Sequence, residues 1–227
     1  MNNPEAYAEY LKNRKSSHKV NYWLESQKEI EKIRREFKDR KPKLLLHACC
    51  GPCAGFPLEY LNEVFDITIY YNNSNIWPTE EFRRRRDELL RLTEELPVGN
   101  IPVVIPPYDN EAYTKQLEPM KDDPEGWIRC FYCYAKRLKQ GFEYAQENGY
   151  DYFTTVMTIS RQKDSQKLNE IGMNLAGKYP AVRWFAADFK KKGGQVRRDE
   201  IVEEYHLYHQ DYCGCIYSWQ SRHPEES

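Results

Sequence analysis

The sequence predicts an α/β fold, a parallel sheet with helices on both faces, preceded by an N-terminal helical extension. Three observations carry that prediction. Short apolar or β-branched runs alternate with longer stretches of helical periodicity. Helix start and stop residues fall between them. The first apolar run, Leu44-Leu45-Leu46-His47, passes directly into Ala48-Cys49-Cys50-Gly51-Pro52-Cys53, a junction of strand, turn and helix. Such alternation builds sheets covered on both faces, and ligands gather outside the carboxyl ends of their strands.

Within residues 1–42, Trp23, Ile30, Ile33 and Phe37 recur at helical spacing among many charges, so an amphipathic helix precedes the main domain. Lys41-Pro42-Lys43 ends it and opens the first strand, Leu44–His47. A helix is expected over Pro52–Val64, with the proline in its first turn. Asp66–Tyr71 reads as the second strand. Thr79–Leu96 reads as a helix, with Thr79 as N-cap and Glu80 and Glu81 in the first turn. Ile101–Ile105 is the third strand. A helix over Tyr132–Asn148 stops near Gly149. Tyr152–Met157 is the fourth strand, Ser165–Lys178 a helix, Val182–Phe185 a fifth strand and Arg197–Tyr205 a last helix. The main domain is set at 43–219, with a tail over 220–227.

The chain has 227 residues, enough for one sizeable core. Acidic and basic residues number 35 and 34, so global charge announces no nucleic-acid partner and any basic surface must be local. Met1-Asn2-Asn3-Pro4-Glu5 lacks the basic start and apolar stretch of a signal peptide. No apolar segment approaches the roughly 20 residues that span a bilayer, so no membrane is expected and the protein is read as cytoplasmic. In that compartment the seven cysteines are not expected as structural disulfides.

Their grouping is informative: Cys49, Cys50 and Cys53; Cys130 and Cys133; Cys213 and Cys215. Thiolates are soft ligands suited to zinc or iron–sulfur clusters. Cys130-x-x-Cys133 with Cys49-Cys50 supplies four thiolates, the number a 4Fe–4S cluster takes. Adjacent cysteines fit the usual structural zinc spacing poorly, although a zinc site with four cysteine ligands is the alternative. A disulfide between Cys213 and Cys215 would close a small, strained ring, and strained disulfides tend to be labile or catalytic. That pair is read as a reversible dithiol, with further metal ligation as the alternative. Cys53 is the odd thiol, a candidate for a second metal or simply a small core residue.

Five segments in order carry a resemblance: Leu-Leu-His-Ala-Cys-Cys-Gly-Pro-Cys at 45–53, Arg-Cys-Phe-Tyr-Cys-Tyr at 129–134, Asp-Tyr-Phe-Thr-Thr at 151–155, Asp-Phe-Lys-Lys-Lys at 188–192 and Gln-Asp-Tyr-Cys-Gly-Cys at 210–215. Together they resemble the cobalamin-independent epoxyqueuosine reductases, the QueH family, over about residues 43–219. The resemblance implies a HUP/Rossmann-like sheet, a 4Fe–4S cluster, and reduction of epoxyqueuosine to queuosine at the wobble position. The implied partners are tRNAs with GUN anticodons, reading Asp, Asn, His and Tyr codons, and an electron donor of unknown identity. By motif position Cys49, Cys50, Cys130 and Cys133 look like cluster ligands, and Cys213 and Cys215 like the redox-active pair. An additional iron is a candidate at Cys53. The sequence departs from the family pattern at Gly51, often Ala, and at Gly193–Arg198, where an aromatic residue and a serine are expected.

Removing an epoxide oxygen takes two electrons and a proton donor. Asp188, Asp211 and Tyr212 are the donor candidates by neighbourhood, with structural hydrogen bonding as the alternative for each. Arg83 and Arg84, within the run Arg83–Arg86, and Lys190, Lys191 and Lys192 are candidate tRNA phosphate contacts. The competing view of the arginines is a solvated helix face paired with nearby glutamates. Trp77, Tyr132 and Tyr134 are candidate stacking surfaces or packed residues, and His47 reads as structural. A PP-loop-like tRNA-modifying enzyme would want a glycine-rich phosphate loop after the first strand, which His-Ala-Cys-Cys-Gly-Pro-Cys does not supply. A zinc-stabilised tRNA-binding module is the non-enzymatic alternative.

Overall fold

The computed structural model describes residues 19–226. Five parallel strands, β1 (Lys43–His47), β2 (Asp66–Tyr70), β3 (Val103–Val104), β4 (Tyr152–Thr155) and β5 (Arg183–Trp184), form one sheet in the order β3-β2-β1-β4-β5. The chain runs outward from β1 through β2 to β3, then returns to pair β4 on the other side of β1. The direction of winding therefore reverses between β1 and β4, and a crevice opens there at the carboxyl ends.

Leu44, Leu45 and Leu46 are fully buried, as a central parallel strand covered on both faces requires. Side chains alternate across a strand, so Leu44 and Leu46 enter one core and Leu45 the other. The first core is covered by α2 (Gly51–Leu61), α3 (Thr79–Glu95) and α7 (Gly194–Glu204), through Leu58, Leu89 and Ile201. The second is covered by α5 (Ile128–Glu147) and α6 (Ser165–Ala176), through Leu138, Phe142, Leu168 and Ile171. The N-terminal helix α1 (Tyr22–Glu36) buries Ile30 and Ile33 in the first core, so the extension shares the domain's interior. The part of the expected extension before Lys19 lies outside the described residues. Helix α5 approaches the sheet so closely that a Cβ at Gly141 would sit 2.1 Å from Phe153 Cζ.

The expected alternation holds, with local corrections. Thr79 is the first helical residue and the N-cap is Pro78, which follows a cis Trp77–Pro78 bond. The third strand shrinks to two residues because Pro102, Pro106 and Pro107 flank it and donate nothing to a ladder. The fifth shrinks likewise to two. The fourth turns into a 3-10 segment at Val156–Ile159. Helix α5 begins at Ile128, four residues before the expected start, because the Asp123 carboxylate accepts the Arg129 N–H at 3.1 Å and satisfies its first turn. Two helices were not foreseen, α4 (Asn110–Leu117) and α8 (Ile216–Arg222), the second following the last cysteine pair. No described helix is long and apolar enough to cross a membrane.

Candidate metal and redox centre

The junction after β1 places three thiols together. His47 ends the strand, fully buried, with Nδ1 2.9 Å from Thr155 Oγ1 and Nε2 3.3 Å from the Asn72 carbonyl. Burial, with the Arg137 charge, lowers its pKa to about 3, so it is a neutral structural link between β1 and β4. Cys50 is the N-cap of α2 and Cys53 lies one turn further on. The sulfurs of Cys49, Cys50 and Cys53 lie within 4.8 Å of one another, all buried, a spacing that could hold a metal ion. Cys49 is held well below the ordinary thiol range by hydrogen bonds from Cys50 and Cys53. Its partner Cys50 is pushed up to about 12 by that same hydrogen bond, with burial behind it. Gln210 Nε2 donates to Cys50 Sγ at 3.2 Å.

Cys130 and Cys133 sit in the first turn of α5, buried, outside that 4.8 Å group. The Gly126 N–H donates to Cys130 Sγ at 3.2 Å, and Tyr113 Oη donates to Cys133 Sγ at 3.3 Å. Burial, with the nearby Cys213 charge, pushes Cys130 up to about 12. Arg129 is buried and donates to the carbonyls of Met120 and Lys121 at 3.3 and 2.7 Å, which fixes the loop leading into this turn.

Cys213 and Cys215 are half-buried on a loop held from several sides. The Arg85 guanidinium donates to the carbonyls of Cys213 and Tyr212 at 3.1 and 3.3 Å and pairs with Glu81 at 2.6 Å. The Trp77 N–H donates to the Gly214 carbonyl at 2.7 Å, and the Cys213 N–H to Ser218 Oγ at 3.1 Å. Gly214 has φ +125°, and a Cβ there would lie 3.1 Å from both Arg85 Nη1 and Ile76 Cγ1, so only glycine fits without strain. Burial, then the charges of Cys213 and Cys133, push Cys215 up to about 12.

Three cations bring these groups into one electrostatic field. Burial acts to lower the pKa of Lys163, but the electrostatic pull of the Cys213, Cys49 and Cys53 sulfurs outweighs it and holds the ammonium above its ordinary value. Arg137 is buried without a carboxylate among the described residues. It donates to Met157 Sδ at 3.0 Å and Asn73 Oδ1 at 3.4 Å, its Nε is unsatisfied, and Cys133, Cys213 and Cys49 act on its charge. Arg85 is likewise within the field of Cys50. Orphaned buried polar atoms border the cysteines too, Gln210 Oε1 and Asn75 Oδ1. A pocket of soft anionic donors, buried cations and unmatched polar atoms fits a thiolate-bound metal centre.

Of these, Lys163, Arg137, Tyr113 and Gln210 were not found from sequence. Arg137 had a signal: it lies about two helical turns on from Cys130 and one from Cys133, at i+7 and i+4, on one helix face. Tyr113 had none, since its helix was unforeseen.

The remaining candidates divide. Arg83 and Arg84 are exposed, Arg84 stacking on Tyr208 at 3.4 Å, whereas Arg85 is turned inward and Arg86 pairs with Asp87 at 2.7 Å. Lys191 and Lys192 are exposed, but the Lys190 ammonium donates to the carbonyls of Thr158 and Lys163 at 2.8 and 3.2 Å. Asp188 is buried and accepts from Ser165 Oγ at 2.9 Å and the Lys190 N–H at 3.3 Å. Asp211 is exposed beside His223, 3.2 Å away, and Tyr212 donates to the Trp77 carbonyl. Tyr132 and Tyr134 are buried, and Trp77 packs edge-on against Trp219 at 5.0 Å.

The comparisons with known proteins agree on one family. The model of "Epoxyqueuosine reductase QueH" matches residues 44–221. The chain belongs to this family. A curated QueH of Streptococcus pyogenes serotype M1 is 36% identical over 213 residues, 92% of this chain and 82% of that protein. The Staphylococcus aureus Mu50 relative is 36% identical over 216 residues, 93% and 89% of the two chains. The Histophilus somni relative is 39% identical over 177 residues, 78% and 72%. The QueH match begins at β1 and ends within α8, so it takes in all seven cysteines.

Proposed function

We propose that this chain reduces epoxyqueuosine to queuosine at the wobble position of tRNAs with GUN anticodons, those for Asp, Asn, His and Tyr, as the last step of queuosine biosynthesis. The observation that carries the reading is the meeting of a held dithiol loop with two buried thiol groups at the reversal point of the sheet, in a QueH chain. Cys49, Cys50, Cys130 and Cys133 are the residues that would hold a 4Fe–4S cluster, and Cys53 is the thiol left for an additional iron. Such a centre supplies Lewis-acid and one-electron chemistry when bound.

Cys213 and Cys215 supply the stoichiometry. Two thiols becoming one disulfide release two electrons and two protons. The epoxide oxygen takes both as water while its two carbon–oxygen bonds break and a carbon–carbon double bond forms. An external reductant, the electron donor, then returns the disulfide to the dithiol. Arg85, Trp77 and Ser218 hold the loop in place through its backbone, leaving the sulfurs for exchange. Asp188 remains the buried carboxyl nearest the lysine turn. Its oxygens are occupied by Ser165 and Lys190, which favours orienting that turn over giving up a proton. Base chemistry on a folded RNA needs the nucleotide out of its stack, and Arg83, Arg84, Lys191 and Lys192 are exposed where phosphates can reach them. A tRNA substrate and free thiols set the activity in the cytoplasm.

The test is anaerobic purification with iron and sulfide analysis, then nucleoside analysis of epoxyqueuosine-containing tRNA incubated with the protein and a reductant. Queuosine is the expected product. A colourless zinc protein that binds tRNA without converting it would replace this reading with the binding-module one.

A further inference from the structure

A cavity of about 640 Å³ opens beside the cysteine centre, between the start of α1, the Asp188–Lys192 turn and the first turn of α6. Five lysines line it, Lys19, Lys163 and Lys190 to Lys192, against two carboxylates, Asp164 and Asp188. The formal excess is three positive charges in a chain whose net charge is -1. Both carboxylates are already engaged: Asp164 caps α6 by accepting from the Gln166 N–H at 2.8 Å, and Asp188 accepts from Ser165 and Lys190.

The lysines have two roles by position. The Lys190 ammonium is fixed on two carbonyl oxygens, so its charge is held in the wall rather than swinging in solvent. Lys163 is shared with the cysteine centre, where the charges of Cys213, Cys49 and Cys53 act on it. Lys191 and Lys192 stand at the exposed rim, and neither forms an ion pair among the described residues. The cavity therefore runs from exposed cations at its rim to a lysine in its wall that lies within the electrostatic field of the thiols. Its far wall belongs to the N-terminal segment, pinned by a two-point contact: the Val20 N–H donates to Gln166 Oε1 at 3.0 Å and Gln166 Nε2 donates back to the Val20 carbonyl at 2.9 Å. Trp23 adds an aromatic edge to that wall.

We propose that this cavity seats backbone phosphate of the RNA strand next to the reacting nucleotide, with the N-terminal helix completing the seat. The proposal rests on the tRNA reading above. A graded set of cations beside an aromatic edge suits a phosphodiester strand, since stacking and phosphate neutralisation act together on single-stranded loops. The volume falls in the range of sites that hold a nucleotide-sized ligand. It also gives the α1 segment a task that its sequence did not reveal.

The experiment is the salt dependence of binding of an RNA hairpin with a GUN anticodon loop to the full, anaerobically purified chain. The test variant is Lys191→Ala with Lys192→Asn. Lys192 has φ +51°, and asparagine tolerates that conformation better than alanine, so charge is removed without backbone strain. The control is Lys38→Ala with Lys43→Ala, exposed lysines at the amino end of the sheet. The test variant is expected to bind roughly tenfold more weakly at low salt, with the log–log slope reduced by about one, while the control follows wild type. An unchanged slope overturns the proposal, as does equal weakening by both variants. Release of the hairpin by millimolar inorganic phosphate, with wild-type slope otherwise retained in the variant, assigns the cavity to free phosphate and also overturns it. Nucleoside analysis on the same preparations separates the two claims. Conversion by wild type with no slope change removes only the cavity assignment. No conversion, with the slope change intact, leaves a polyanion seat and removes the reductase reading.

Discussion

At the amino end of the sheet Arg40 meets Asp151 at 2.7 Å and Arg183 meets Glu36 at 2.6 Å, each pair partly exposed to solvent. At the carboxyl end Arg85 and Arg137 are almost completely buried, and thiol groups act on both charges, as on that of Lys163, with the Glu81 carboxylate paired to Arg85 as well. Exposed pairs of the first kind contribute little and tolerate replacement. Buried cations of the second kind carry a desolvation cost that a simple scaffold would avoid by using apolar side chains. Among the described residues the fold accepts that cost at the end where the cysteine groups lie, so the charge arrangement sets the two ends apart.

The largest effect expected from breaking this contrast is at the dithiol. Cys215→Ser should abolish queuosine formation while the iron and sulfide content stays at the wild-type level, whereas Cys50→Ser should lose the metal as well. Parallel metal analysis and nucleoside assays distinguish the two, and loss of metal from Cys215→Ser would make that residue a ligand. Next comes Arg85→Ala, which leaves Glu81 buried without its partner and releases the Cys213 and Tyr212 carbonyls. A destabilisation of about 3–5 kcal/mol is expected in urea unfolding, with turnover falling further than that of the Glu81→Gln variant, which keeps the guanidinium on the loop. A smaller change, Gly214→Ala, forces a side chain into a left-handed conformation against Arg85 and Ile76 and should cost about 1–2 kcal/mol; unchanged thermal stability would mean the loop relaxes freely.

The smallest effect belongs to the amino end. Arg40→Ala should leave turnover unaltered and stability nearly so. The hydrogen bonds from Arg40 hold the Asp151 carboxyl below its ordinary value, so whatever the pair contributes is present above about pH 4 and fades as pH falls through the depressed value. Wild type and Arg40→Ala should therefore converge in acid. A turnover defect in this variant would erase the contrast between the two ends.

Much of this was legible in the sequence because it is local. Strand and helix periods, the strand-to-helix junction at Cys50, the stop at Gly149 and the three cysteine groups all depend on neighbours within a few positions. The run Arg83–Arg86 shows where legibility ends. Four identical residues on one helix receive four environments, since rotation of α3 against the sheet turns Arg85 inward and leaves Arg83 and Arg84 in solvent. Lys190 differs from Lys191 and Lys192 for the same kind of reason, its ammonium reaching carbonyls that β4 and its following turn deliver.

By itself, then, the sequence determined an alternating α/β chain with soft-metal and dithiol chemistry, because periodicity and residue type are properties of the chain. Only the tertiary structure decided that Cys53 joins Cys49 and Cys50, that Arg137 and Lys163 face the thiols, and that the N-terminal helix walls a basic cavity beside them. Apart from the local cysteine trio, those relations join stretches distant in the chain, and the packing of helices on the sheet sets them.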